Sequence, residues 1–182
     1  IWVSNGFMSE KSLNLITPYL DAINIDLKSF SEDFYQKICK GRLEPVKKNI
    51  KKIWKMGIWI EVTTLIIPGF NDSKKELKQI ARFLVGISKD LPWHISAFYP
   101  CYKMLNRPST SQEILISACE IGKKAGLQYV YTGNIPNSNY ESTYCPKCNS
   151  LVIERLGMEV LKNNLKNGKC PKCNTKIQGI WK

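Results

Sequence analysis

Four of the seven cysteines stand in two copies of one pentapeptide, Cys-Pro-Lys-Cys-Asn, at 145–149 and 170–174. A Cys-x-x-Cys turn brings two thiolates to one side of a tight bend. Two such turns supply the four-sulfur set that a tetrahedral zinc or iron ion requires. Cys145, Cys148, Cys170 and Cys173 are therefore the metal-ligand candidates, with zinc the expected ion because it is the commoner structural metal. Four protein ligands leave no open coordination position, so the expected role is structural. The 21 residues between the pairs slightly exceed the usual zinc-ribbon gap. Asn149 and Asn174 close each pair where positive φ is wanted, a conformation Asn tolerates. Leu151-Val152-Ile153-Glu154 and a loop near Gly168 are expected to make a hairpin between them. A segment of about 40 residues buries too little apolar surface to fold unaided, so the metal would supply much of its stability. A catalytic dithiol is the alternative, but it would need only one of the two pairs.

The other three cysteines, Cys39, Cys101 and Cys119, fit no pair spacing. An odd cysteine count with Cys-x-x-Cys pairs points to metal thiolates in a reducing, cytoplasmic compartment rather than to a disulfide framework. Cys101 is expected to be a small buried residue.

Upstream of the cysteines the chain alternates strand-like and helix-like segments. Ile1–Val3 reads as a strand, followed by the turn Ser4-Asn5-Gly6 and a helix capped by Ser9. Residues 22–27 form a second strand, ending near Asp26 and Lys28. Over 45–56, Val46, Ile50, Ile53 and Trp54 share a helix face opposite Lys47, Lys48, Lys51, Lys52 and Lys55, and Gly57 ends the helix. A β-branched strand over 58–67 stops at Pro68-Gly69. Ser73 caps a helix through about 89, with Asn71 and Asp72 as further caps. A strand over 93–99, a helix over 111–125 and a strand over 127–131 complete the series. This alternation is the pattern of a parallel α/β sheet or barrel, whose chemistry gathers at the carboxyl ends of the strands. Ser4, Asn5, Asp26, Lys28, Asn71, Asp72, Tyr99 and Asn134 are the polar residues at those ends. The polar stretch 136–142 marks an expected boundary between 1–140 and the cysteine module, 141–182.

Composition is that of an ordinary globular protein, 43% hydrophobic and 23% charged. No apolar run reaches the roughly 20 residues of a membrane span. The net charge is +12, but the lysines are spread over several helices and no RNA-recognition signature accompanies them, which argues against nucleic acid. The rival reading is a non-catalytic zinc-ribbon module that binds nucleic acid or protein, since residues 141–182 carry 8 Lys+Arg against 3 Asp+Glu, a net +5. The chain begins within a strand, without Met, as a fragment or truncated gene would.

Several motifs occur in order: Val3-Ser4-Asn5-Gly6-Phe7, Ile25-Asp26-Leu27-Lys28, Leu65-Ile66-Ile67-Pro68-Gly69-Phe70-Asn71-Asp72, Trp93-His94-Ile95-Ser96-Ala97-Phe98-Tyr99-Pro100, Tyr131-Thr132-Gly133-Asn134-Ile135-Pro136 and Thr143-Tyr144-Cys145-Pro146-Lys147-Cys148. Together they resemble radical S-adenosylmethionine (SAM) enzymes, specifically the activating enzymes of glycyl-radical proteins and, with the cysteine tail, the radical SAM member of the AmmeMemoRadiSam system. The resemblance covers nearly the whole chain. It implies the later strands of a partial (β/α) radical-SAM barrel followed by a small four-cysteine zinc-ribbon-like module. It also implies an oxidoreductase that cleaves SAM with a [4Fe–4S] cluster to a 5′-deoxyadenosyl radical. The family's Cys-x3-Cys-x2-Cys cluster loop and its Gly-Gly-Glu segment do not occur here. Both are expected upstream of Ile1, and the chain alone is not expected to be active. On the same resemblance, Ser4 and Asp26 lie around a cation near SAM, Lys28 meets the SAM carboxylate, and Asn5 with Gly6 forms the turn where backbone approaches the ligand. Implied partners are SAM, a protein or small-molecule substrate and Memo-type system proteins, with no membrane. One departure is clear: a His-Pro-Asp sequence is expected after Phe98, and the chain has Tyr99-Pro100-Cys101. His94 lies at the far end of that strand and is assigned no role.

Overall fold

The computed structural model describes residues 1–135 and 138–181. Pro136 and Asn137, at the head of the expected boundary segment, lie outside the described residues.

Five strands, β1 (Trp2–Ser4), β2 (Ala22–Asp26), β3 (Trp59–Ile66), β4 (Trp93–Ala97) and β5 (Val130–Gly133), lie side by side in chain order. Every neighbouring pair is parallel. Parallel neighbours need crossovers, and these carry helices α1 (Glu10–Ile16), α2 (Glu32–Phe34), α3 (Leu43–Lys55), α4 (Lys74–Val85) and α5 (Gln112–Ala125). The α/β reading, with its parallel five-stranded sheet, is what the chain adopts.

Helices α1, α2, α4 and α5 each start at a serine whose side chain satisfies a free amide. Ser9 accepts from Ser12 N at 3.1 Å and Ser73 from Glu76 N at 3.2 Å. Helix α4 ends at Val85 rather than near 89: Gly86 is its C-cap, and the Ile87 amide tightens to a three-residue bond on Leu84 O at 2.9 Å. Strand β5 begins three residues later than expected: Gly126 adopts φ +114 as the C-cap of α5, and the Leu127 amide is spent on Gly122 O.

Period-two alternation decides which residues face where. Ile23, Ile25, Ile60, Val62, Ile66, Trp93, Ile95 and Val130 join Val46, Ile50, Ile53, Leu77, Ile80, Leu84 and Leu115 in one buried core under the helices. The close fit is clearest at Gly122, where a Cβ would lie 3.0 Å from the Trp93 ring and 3.1 Å from Val130. The opposite face carries Asn24, Asp26, Glu61, Thr63, Leu65, His94, Ser96 and Tyr131, all partly accessible. One face is hydrocarbon under helices; the other is polar and open.

After a short helix, α6 (Ser138–Glu141), three antiparallel strands follow: β6 (Thr143–Tyr144), β7 (Leu151–Leu156) and β8 (Glu159–Asn163). The β7–β8 hairpin turns at Gly157, φ +60, where no Cβ opposes the bend. It does not close near Gly168. The loop at Gly168 instead closes a separate tight turn, in which Lys166 and Lys169 exchange backbone bonds at 3.0 Å, and the Gly168 carbonyl accepts from Ile177 N at 2.9 Å.

Candidate functional site

Two places concentrate chemistry, and the first is the cysteine cluster. In each Cys-Pro-Lys-Cys-Asn turn the Asn amide bonds back to the first Cys carbonyl, at 2.8 Å for Asn149 and 2.9 Å for Asn174. Both asparagines have positive φ, 55° and 59°, as the pattern requires. The residue after each Asn presents a hydroxyl to the second sulfur: Ser150 lies 3.3 Å from Cys148 and Thr175 lies 3.2 Å from Cys173. The two knuckles are thus copies down to the hydroxyl.

The four sulfurs all lie within 4.8 Å of one another, with Cys145–Cys173 at 3.5 Å and Cys148–Cys170 at 3.6 Å. A tetrahedral ion with bonds of about 2.3 Å sets sulfur–sulfur edges of about 3.8 Å, so the cluster is close to the size one ion needs. A cubane of four irons would hold its thiolates farther apart. Local hydrogen bonding favours the thiolate form on the outer sulfurs. The Ser150 hydroxyl draws Cys148 down to about 6, and the Thr175 hydroxyl lowers Cys173. Burial pushes Cys145 up to about 11 in the metal-free cluster. The cluster could therefore bind a metal ion. Cys145 and Cys170 also form a small core with Val152, Ile153, Ile177 and, from the residue just before β5, Tyr129.

The second place is the carboxyl edge of the parallel sheet. Asp26 ends β2, and Lys28 follows two residues later with its Nζ 2.8 Å from Asp26 Oδ2. Their side chains are 26% and 35% exposed, leaving both charges reachable from solvent. Next to them, β1 runs out into the turn Ser4-Asn5-Gly6. Ser4 Oγ accepts from Gly6 N at 3.1 Å, and Asn5 Oδ1 accepts from Phe7 N at 3.0 Å. Gly6 has φ +70, and a Cβ there would sit 2.7 Å from Ile25, so only glycine lets this turn press against β2. The fold brings Asp26 and Lys28 together; it places Ser4 and Asn5 one strand over, with their oxygens closing their own turn.

What holds Lys28 was not read from the sequence. Asn71 is fully buried and does not cap α4, a task Ser73 performs alone. Its Oδ1 accepts from Ile67 N at 2.7 Å, and its Nδ2 donates to Lys28 O at 2.6 Å and Leu65 O at 2.8 Å. Lys28 N donates to the Tyr35 hydroxyl at 3.1 Å, and Thr64 Oγ1 donates to Leu27 O at 2.9 Å. Tyr35 opens a five-residue π-helical turn, Tyr35–Cys39, a local widening often found at functional sites. Phe30 N and the Ser29 hydroxyl both donate to Glu76. The one available hint was redundancy, since Ser73 already supplied a cap and left Asn71 without that task.

At the other end of the open face, His94 Nε2 lies 2.7 Å from Glu61 Oε2, and Trp59 Nε1 donates to Glu61 Oε1 at 3.0 Å. The imidazole stacks on Tyr131 at 5.2 Å, Tyr131 and Thr143 hydroxyls are 3.0 Å apart, and Arg155 donates to Thr143 at 2.6 Å. His94 is thus hydrogen-bonded and stacked within the fold. This chain of contacts ties the sheet to the cysteine segment across a cavity of about 510 Å³. Cys119 is buried, but Cys101 is exposed, because the chain leaves the sheet after Ala97 and carries it into a surface loop. Cys39 is exposed as well. Among the described residues, the cysteines at 145, 148, 170 and 173 form the one group assembled for a metal.

A parallel sheet with helices on one face and charged groups at its carboxyl edge defines an α/β protein of the barrel type. Residues 1–84 match the model of the Radical SAM superfamily, so this part of the chain carries the sequence pattern of that superfamily. The uncharacterized protein MJ0808 of Methanocaldococcus jannaschii is 42% identical over 156 residues, covering 85% of this chain and 46% of that protein. The chain thus spans about half the length of that relative. A domain of pyruvate-formate lyase-activating enzyme from Bacteroides vulgatus shares the fold with a TM-score of 0.60 at 22% identity, over 73% of this chain and 80% of that one. A radical SAM methyltransferase from Sphaerobacter thermophilus gives 0.56 at 16% identity, over 74% and 41%.

Proposed function

We propose that this chain is the later part of a radical SAM enzyme of the glycyl-radical-activase type, within the AmmeMemoRadiSam group. It would comprise a barrel portion, 1–140, and a four-cysteine zinc module, 141–182. The observation that carries this reading is the Asp26–Lys28 pair at the carboxyl edge of the sheet, inside the segment that matches the superfamily. A solvent-reachable ammonium is suited to the carboxylate of SAM. Asp26 would balance that charge and, with Ser4, offer hard oxygen ligands to a cation. The turn at Asn5 and Gly6 would form the wall beside the ligand.

The [4Fe–4S] cluster of such an enzyme supplies the electron that cleaves SAM. Among the described residues none fits it: Cys39 and Cys101 are exposed, Cys119 is buried on the inner face of α5, and the remaining four suit a single ion. Its ligands would belong to the longer protein, and this chain would bind and orient SAM and close the barrel. The closed four-thiolate site suits zinc in a structural role. The substrate would be a protein or small molecule, with Memo-type proteins as system partners, in the cytoplasm.

Two measurements test the reading. The genomic sequence upstream of Ile1 should continue in frame through Cys-x3-Cys-x2-Cys and Gly-Gly-Glu. The protein carrying this chain should bind SAM in a calorimetric titration. A stop codon directly upstream, or no SAM binding by a protein that has the cluster loop, would overturn it.

A further inference from the structure

The segment that carries Lys28 has left the sheet, so strand pairing no longer fixes it. Its last ladder bond is Leu27 N to Thr63 O at 2.9 Å. Beyond that point, the Lys28 backbone is held by side chains from two other elements. Tyr35 takes its amide, and Asn71 takes its carbonyl from 43 residues away. We propose that Asn71 is a positioning residue for Lys28, setting the direction of its ammonium at the carboxyl edge of β2. The proposal deepens the SAM reading above and rests on it for the nature of the ligand.

The chemistry of Asn71 supports a dedicated role. It is fully buried and commits both amide hydrogens and its oxygen. Two of the three bonds, to Ile67 N and Leu65 O, close its own loop and would suffice for local order. The third is the one that reaches beyond that loop, and it ends on the residue whose ammonium meets Asp26. Its loss leaves the Lys28 carbonyl without its donor and the Lys28 backbone with the Tyr35 hydroxyl as its remaining bond, between the anchors of Leu27 on Thr63 and Phe30 on Glu76. A rotation of the Lys28 backbone redirects the whole four-methylene stem, so the pair with Asp26 is kept only at the cost of a less favourable rotamer. Asparagine is required for this: Asp would accept from Ile67 N but turn an oxygen toward two carbonyls, and Ser is too short to reach both.

The test is a double-mutant cycle on the SAM-binding protein, with Asn71→Ser, Lys28→Ala and the double variant. The expected result is that Asn71→Ser weakens SAM binding about fivefold in the wild-type background and less than about twofold when Lys28 is already Ala. Its lowering of the melting temperature should be equal in both backgrounds. Tyr35→Phe, which keeps the ring and removes only the acceptor for Lys28 N, serves where Asn71→Ser folds poorly, and should show the same background dependence. An equal loss of affinity in both backgrounds would make Asn71 a general stabiliser and overturn the proposal. A crystal structure of Asn71→Ser provides a readout independent of SAM. The Asp26–Lys28 pair should be broken; a pair unchanged at 2.8 Å overturns the positioning role. A broken pair with SAM affinity untouched by Lys28→Ala overturns the SAM reading instead.

Discussion

Glu61 and His94 face each other on adjacent parallel strands, Oε2 to Nε2 at 2.7 Å, at the end of the open face opposite to Lys28. Burial would raise the Glu61 carboxyl, but the hydrogen bond and charge of His94 and the indole N–H of Trp59 outweigh it and hold Glu61 below its ordinary value. A carboxylate depressed in the folded state adds stability above its unfolded pKa, about 4.3, and that stability is lost as pH falls through the folded value. Urea midpoints measured across the acid range should therefore fall more steeply below about pH 5 for the wild type than for Glu61→Gln. Parallel profiles would show that the pair does not stabilise the fold.

The cysteine cluster should hold about one metal ion per chain, and Cys148→Ser should abolish it. Such sites contribute about 10 kcal/mol or more to folding their own small module. Chelation should melt β6–β8 while the parallel sheet persists. Elemental analysis gives the stoichiometry, and amide exchange gives the location. Rapid exchange spreading equally through β2–β4 would show that the two sheets fold as one.

Lys28→Ala should weaken SAM binding at least about tenfold, or about 1.4 kcal/mol, if the ammonium pairs with the ligand carboxylate. Since Lys28 is partly exposed and its side chain is held by a solvent-reachable ion pair, the melting temperature should hardly move. Calorimetry and thermal denaturation on the same sample separate the two effects.

Gly122→Ala opposes a helix gain to a packing loss. Replacing Gly by Ala inside a helix favours folding by about 1 kcal/mol. Here the new methyl would stand 3.0 Å from the Trp93 ring, a group that cannot retreat because its Nε1 donates to Thr64 Oγ1 at 2.9 Å. Overpacking of this kind costs about 1–3 kcal/mol, so the variant should be less stable than wild type. Chemical denaturation decides the sign.

The unpaired cysteines should differ in reactivity. Cys39 and Cys101 are exposed and should react with a thiol reagent in the native, metal-loaded protein. Cys119 is buried and pushed up to about 12 by that burial, so it should react only on unfolding. Mass spectrometry of peptides labelled before and after denaturation tests this.

The alternation of apolar periods determined the α/β order, because hydrophobic periodicity is local and each crossover helix has to bury one face. The serine caps at Ser9 and Ser73 and the repeated Cys-x-x-Cys turns were equally legible, since caps and knuckles are made within a few residues. The spacing of four thiolates named the candidate metal site from the sequence. Contacts between distant residues were not legible in this way. The hairpin turn at Gly157 was chosen by the pairing of β7 with β8, and Gly168 offered an equally plausible glycine. Cys101 turned outward because the chain leaves the sheet there, a route no local pattern records. Asn71 read as a helix cap until the folded chain brought Lys28, 43 residues away, to its amide. Residue types and spacing determine which groups this protein carries; only the packing of β2 against β3 decides that one asparagine holds the lysine in place.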